Sequence, residues 1–177
     1  MTESDELLAV RCQLGEPDAL DALIARWHPA LWSYARRVTG DPDAAADAVQ
    51  DAWLRILRAL PGLRDPARLR PWMFGIARRV LMDRFRAQYA APAFADVEPG
   101  DLAEPDDRRD AALAAEELHG ALDALPVAER ELLALFYLEE LSLNELADVL
   151  SVPVGTVKSR LFRARRLLRE RLVREKE

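Results

Sequence analysis

Between residues 154 and 174, side chains that donate hydrogen bonds recur at helical spacing. Thr156, Ser159, Arg163 and Arg166 fall three or four residues apart, which places them on one face of a helix. Lys158, Arg160 and Arg165 flank that face. A surface made only of donors suits the floor of a DNA major groove, where arginine paired with guanine is the commonest specific contact. Gly155 and Thr156, at the helix start, add backbone amides that suit a phosphate. The opposite stripe, Val157, Leu161, Ala164 and Leu168, is apolar and reads as core. Phe162 lies off that stripe and is read as an edge-of-core residue rather than as a base contact. The plain alternative is a basic amphipathic helix in solvent.

What precedes this helix favours DNA. Ser142-Leu143-Asn144-Glu145 is a capping box, with the serine oxygen accepting from the Glu145 amide while the glutamate reaches back. A short helix follows, with Leu143, Leu146, Ala147 and Leu150 on one face, and Ser151-Val152-Pro153 makes a tight connection. A short helix, a turn of three or four residues and a longer basic helix form the helix-turn-helix pattern.

Two more constellations lie upstream. Asp47, Gln50 and Asp51 occupy one helical turn and share a face. That patch suits a basic protein surface, although alone it reads as a solvated acidic face. Trp72 and Phe74 sit among Arg64, Arg68, Arg70, Arg78 and Arg79. Aromatics interleaved with arginines can stack on and neutralise an unwound strand, and opening DNA requires that some bases leave the stack. Phe74, Ile76, Ala77 and Leu81 read as core, and Trp72 stays open between core and DNA.

The elements that must position these groups read as helices throughout, with nothing that reads as strand. Gly15-Glu16-Pro17 opens a helix carrying Leu20, Leu23, Ile24 and Trp27, which Pro29 is expected to interrupt or restart. Gly40 closes the next segment, Asp41-Pro42 opens another, and Pro61-Gly62 ends it. Residues 63–70 read as a loop or short turn, and a helix runs on from Pro71. Gly75 inside it costs about 1 kcal/mol relative to alanine, and simple tolerance or close packing would explain it. Residues 90–110 are rich in proline and carboxylates and poor in large apolar side chains, which reads as a flexible linker. Helices are expected again from about Arg109 to Asp123, then over 127–138, 143–150 and 154–174. The expected fold is all-α, with small helical domains at 1–90 and 110–177 joined by an acidic linker at 91–109.

The net charge of −6 hides a strong asymmetry. Residues 55–86 and 154–176 each carry +7, and residues 96–117 carry −7. Two basic blocks are two candidate phosphate-binding surfaces, and the acidic segment between them is expected either to mask them weakly or to act only as a tether. The single cysteine, Cys12, excludes an internal disulfide and reads as a small buried apolar residue more readily than as a redox sensor. His28 and His119 are far apart, so no metal site is expected. No apolar run approaches the ~20 residues that span a bilayer, and the acidic N-terminus does not read as a secretory signal, so the expected location is cytoplasmic.

Three stretches together resemble one family. Residues 42–60 resemble the polymerase-binding helix of bacterial sigma factors, whose motif runs acid, two residues, glutamine and acid. Residues 71–86 resemble the segment that opens and reads the minus-ten promoter element. Residues 152–172 resemble the minus-thirty-five reading helix of the extracytoplasmic-function sigma factors. The resemblance spans residues 5–88 and 109–174. It implies a factor that binds core RNA polymerase and directs promoter recognition, DNA opening and transcription initiation. Asp47, Gln50 and Asp51 would face polymerase. Arg64, Arg68, Trp72, Arg78 and Arg79 would meet the minus-ten element, and Thr156, Lys158, Ser159, Arg160, Arg163 and Arg166 the minus-thirty-five element. It further implies promoter DNA both as duplex and as unwound strand, an anti-sigma partner, a monomer when active, no membrane insertion, no cofactor and no catalysis by the chain itself. Arg79 stands where the family usually has asparagine, which puts an amide-mediated base contact in doubt. Ser151 stands where the turn usually has glycine. The rivals are a dimeric helix-turn-helix regulator, which needs neither upstream constellation, and a nucleic-acid enzyme, for which no metal-ligand spacing, phosphate loop or nucleophile-base pair is present.

Overall fold

Ser4 and Asp41 each start a helix by lending a side-chain oxygen to the backbone. Ser4 accepts from the Leu7 amide, and Asp41 accepts from the Asp43 amide at 2.9 Å. The computed structural model describes residues 3–88 and 122–174, and every regular element among them is helical. The chain divides into two compact units, Met1–Pro92 and Ala93–Glu177. The first contains α1 (Asp5–Gln13), α2 (Pro17–Thr39), α3 (Pro42–Ala59) and α4 (Leu69–Gln88), with 3-10 turns at Leu60–Gly62 and Pro66–Arg68 between α3 and α4. The second contains α5 (Val127–Leu133), one π turn (Ala134–Leu138), α6 (Leu143–Leu150) and α7 (Val154–Arg174). The expected acidic linker and most of the helix expected from Arg109 lie outside the described residues.

Two boundaries differ from expectation. α2 runs unbroken through Pro29. Proline removes one amide and frees the carbonyl four residues back. Pro29 and Ala25 are both exposed, so the freed carbonyl is not forced into an apolar core and the helix continues. α4 begins at Leu69 rather than Pro71, because Asp65 caps a 3-10 turn by accepting from the Ala67 amide at 3.1 Å, and that turn leads straight into the helix. The stop at Gly40 is as the sequence suggests: it adopts a left-handed φ of 72° and its amide bonds the Arg36 carbonyl.

In the first unit α2 packs on α3, α3 packs on α4, and α1 crosses α2 and both 3-10 turns. Phe74 of α4 is fully buried, with Trp27 edge-on at 6.3 Å and Tyr34 edge-on at 5.6 Å. Such aromatic pairs add ~0.5–1.5 kcal/mol beyond area burial. Ile76, Ala77 and Leu81 are buried beside it, as their apolar spacing predicts. α1 is anchored by Leu8 in the core and by Gln13, whose amide donates to the Leu60 and Leu63 carbonyls. Burial pushes the half-buried Cys12 thiol up, which lowers its thiolate fraction and suits a packing role. Gly75 has room, since an added Cβ would meet only the end of Arg79 at 4.0 Å, so tolerance rather than close packing explains it. In the second unit α7 packs against both α5 and α6 around Leu133, Leu135, Leu146 and Val157.

Candidate nucleic-acid interface

The helix-turn-helix is set by caps at both ends of α6. Ser142 Oγ accepts from the Glu145 amide at 3.2 Å, and the Ser142 amide donates to Glu145 Oε2 at 2.8 Å, which completes the capping box. At the other end Ser151 is left-handed, with φ 56° and ψ 44°. Its amide bonds the Asp148 carbonyl and the Val152 amide bonds the Ala147 carbonyl at 3.1 Å, the paired bonds of a Schellman stop. The turn therefore needs the conformation that glycine adopts at no cost, and serine there costs roughly 1–2 kcal/mol. On α6, Leu146, Val149 and Leu150 are buried, and Leu143 and Ala147 are half-buried.

The face that α7 turns outward is not the one its donors suggest. Ser159 is only 5% exposed, and its hydroxyl donates to the Thr156 carbonyl at 3.0 Å, so it is removed from the exposed surface. Arg163 is half-buried, and its Nη2 lies 3.2 Å from Glu129 of α5. Arg165 stacks over Phe136 at 5.4 Å and Tyr137 at 5.5 Å. Thr156 and Arg160 are half-buried at the margin. The exposed arc is Gly155, Lys158, Phe162, Arg166 and Arg169, again at spacings of three and four. The cause is that α7 is held on two sides, by α5 and α6, so its solvent arc is narrow and is rotated from the direction opposite Val157 and Leu161. Phe162, expected at the edge of the core, is 38% exposed in the middle of that arc.

In the first unit, Arg64 lies between the 3-10 turns and Arg68 ends the second, both exposed. Trp72, Gly75 and Arg79 share a face of α4 at spacings of three and four. Trp72 is half-buried, and Arg79 is exposed with its Nε donating to the Gly75 carbonyl at 3.0 Å. Arg78 is half-buried and points a third of a turn away from Arg79. Arg70 lies over the Trp27 ring at 5.9 Å, so it braces the aromatic cluster around Phe74.

Asp47 and Gln50 are exposed on α3, as expected. Asp51 is only half-exposed, because Arg84 of α4 bonds its Oδ2 at 2.5 Å. Leu54, one turn beyond Gln50, is exposed on the same face. Sequence reading missed both Arg84 and Leu54. Arg84 carried no signal, since its partner is 33 residues distant in the chain. Leu54 could have been found from its spacing to Asp47 and Gln50.

The profile of Sigma-70 region 2 matches residues 23–90, and that of Sigma-70, region 4 matches residues 115–168. The RNA polymerase sigma-H factor of Pseudomonas aeruginosa is 31% identical over 175 residues, spanning 92% of this chain and 91% of its own. The ECF RNA polymerase sigma-E factor of Escherichia coli K12 is 30% identical over 174 residues, with the same coverage. The chain belongs to the extracytoplasmic-function sigma factors. Among solved structures, CnrH in complex with the cytosolic domain of CnrY is 27% identical with a TM-score of 0.69, over 95% of this chain and 96% of that one. RpoE of Bartonella quintana, crystallised with the anti-sigma factor NepR, is 23% identical with a TM-score of 0.66 over 86% of this chain and 96% of that one, and it shares the fold. As a sigma factor, the protein directs promoter recognition and transcription initiation by RNA polymerase. No described helix is long and apolar enough to cross a membrane.

Proposed function

We propose that the two units of this sigma factor divide promoter recognition between them, with α7 reading the minus-thirty-five duplex through the arc Gly155, Lys158, Phe162, Arg166 and Arg169. The observation that carries this reading is the arc itself: one exposed aromatic ring among exposed cations, on a helix whose first turn follows a fully capped turn. Phe162 suits a thymine methyl and Arg166 suits a guanine edge. Lys158 and Arg169 suit phosphates, Thr156 and Arg160 stand at the margin, Ser159 is buried, and Arg163 is engaged by Glu129 while its side chain stays 41% exposed.

In the first unit, Arg64, Arg68, Trp72 and Arg79 meet the minus-ten element as it opens, with Arg78 behind them. Trp72 offers a ring for an unstacked base beside cations for its backbone. Asp47, Gln50 and Asp51 bind a basic surface of core polymerase. The chain supplies binding energy and strand separation without catalysis of its own, and it acts as a monomer in the cytoplasm, where polymerase works. An anti-sigma protein holds it inactive, a reading supported by the complexes in which its structural relatives are seen.

The test is run-off transcription on genomic fragments with limiting core polymerase. The wild-type chain should give discrete promoter-dependent transcripts, and Asp47→Lys with Asp51→Lys should give none while retaining its helical circular dichroism. Normal transcription by that double variant would remove the assignment of the acidic face.

A further inference from the structure

Two crossed ion pairs join α3 to α4 along one edge. Asp51 and Arg55 stand one turn apart on α3, while Asp83 and Arg84 are neighbours on α4. Arg84 Nη2 bonds Asp51 Oδ2 at 2.5 Å and donates to the Asp47 carbonyl at 3.2 Å, and Arg84 Nη1 lies 3.8 Å from the Asp47 carboxylate. Arg55 Nη1 bonds Asp83 Oδ2 at 3.2 Å, and Arg86 Nη1 bonds the other oxygen of Asp83 at 3.2 Å. Arg84 therefore reaches both acids of the Asp47/Gln50/Asp51 motif, and Asp83 is already engaged by Arg55 and Arg86.

We propose that Arg84 is an internal counter-ion of the Asp47/Asp51 patch, holding the place that a cation of core polymerase takes when the two proteins bind. The inference rests on the reading of that patch as the polymerase-binding face. Three observations carry it. The ion pairs that Arg84 makes among the described residues are to these two acids. The side chains involved are 35% (Arg84), 46% (Asp51) and 69% (Asp47) exposed, so an incoming guanidinium or ammonium group can reach the carboxylates without unpacking the core. The departure of Arg84 also leaves α3 held on α4, because the Arg55–Asp83 pair remains and Ala48, Ala52, Ala77 and Leu81 stay buried. A pair this exposed lowers the affinity of a competing cation by only about two- to five-fold, equivalent to about 0.4–1 kcal/mol. That is small against a protein interface but selective: a partner offering one poorly placed cation gains nothing, while one offering several well-placed cations displaces Arg84.

The experiment measures the affinity of the full chain for core polymerase at two salt concentrations, for wild type, Arg84→Gln, Asp47→Asn, Asp51→Asn and the Arg84→Gln/Asp51→Asn double variant. Removing the counter-ion leaves the patch more negative. Arg84→Gln should therefore bind about two- to five-fold tighter at low salt, with a steeper loss of affinity as salt rises. Asp51→Asn should bind more weakly, and the gain from Arg84→Gln should shrink when Asp51 is already neutral. Loss of a residue that only supports the fold would weaken binding, and its effect would be the same whether or not Asp51 is neutral. If Asp51→Asn weakens binding and Arg84→Gln binds like wild type or worse, the counter-ion role is wrong and the polymerase face stands. If Asp47→Asn and Asp51→Asn both bind like wild type, the face assignment is wrong and the counter-ion role falls with it. Should Arg84→Gln lose helicity, Arg84→Met keeps the aliphatic stem and is judged by the same two outcomes.

Discussion

Replacing Phe162 or Arg166 with alanine should change which upstream sequences the sigma factor prefers, whereas replacing Arg163 should not. Arg166 is exposed on α7, with its Nε 3.7 Å from Glu170 in a solvated pair that a guanine edge can outcompete. A bidentate arginine contact contributes ~1–3 kcal/mol of discrimination, so Arg166→Ala should flatten preference at one base pair by about 5- to 150-fold. Phe162 presents part of one ring face. Covering about 40 Å² of it with a thymine methyl stabilises by ~1 kcal/mol, so Phe162→Ala should cost about five-fold at a neighbouring base pair. Arg163 instead faces Glu129 at 3.2 Å. Its loss should lower the stability of the second unit by up to ~1 kcal/mol and leave the preference profile unchanged. The assay is competitive binding of polymerase carrying each variant to upstream elements substituted one position at a time, at fixed salt. A profile flattened by Arg163→Ala but untouched by Phe162→Ala and Arg166→Ala would refute the rotated face and restore the donor stripe.

Ser151→Gly should stabilise the second unit by about 1 kcal/mol, read as a higher denaturation midpoint, because φ 56° is strained for serine and not for glycine; a lower midpoint would mean that the serine side chain supports the turn. Trp72→Ala should impair promoter opening more than closed-complex formation, and a pre-melted template should restore activity if the ring serves the unwound strand. If pre-melting does not restore it, Trp72 belongs to the packing around Phe74. Replacing Asp96, Glu98, Asp101, Glu104, Asp106 and Asp107 with serine or asparagine should tighten promoter binding by the polymerase-free protein at low salt, if these carboxylates screen the basic faces; equal binding would make the segment a tether only.

Local rules were legible where the physics is local. The Ser142/Glu145 box, the Asp41-Pro42 start and the Gly40 stop each depend on a few adjacent residues, and each has the geometry that its sequence implies. Pro29 misled because the penalty for an interior proline depends on whether its orphaned carbonyl meets water, which a one-dimensional pattern does not contain. Ser159 misled for a related reason. Periodicity separates an apolar stripe from a polar one, but the direction of the exposed arc is set by how many neighbours hold the helix. α7 has two, and the serine that a two-sided helix would expose is covered. Its hydroxyl tolerates this because the Thr156 carbonyl accepts its proton.

Charge counting met the same limit. The block at residues 55–86 carries +7 with Asp83 already counted, yet Arg84 is bonded to Asp51 outside the block, and Arg55 and Arg86 are both bonded to Asp83. An arginine that neutralises a neighbouring helix and one that faces a phosphate have the same residue type and the same spacing, so only the partner across the packing distinguishes them. That distinction divides α4 along its length. The exposed Arg68, just before its start, and Trp72 lie at its N-terminal end and Arg79 at its middle, while Arg84 and Asp83 bind α3 toward its C-terminal end. On the proposed reading, one helix then serves the opening strand at one end and steadies the polymerase-binding acids at the other. On that reading a displacement of Arg84 by polymerase leaves α4 in place, because the Arg55–Asp83 pair and the buried Ala48, Ala52, Ala77 and Leu81 still hold it on α3.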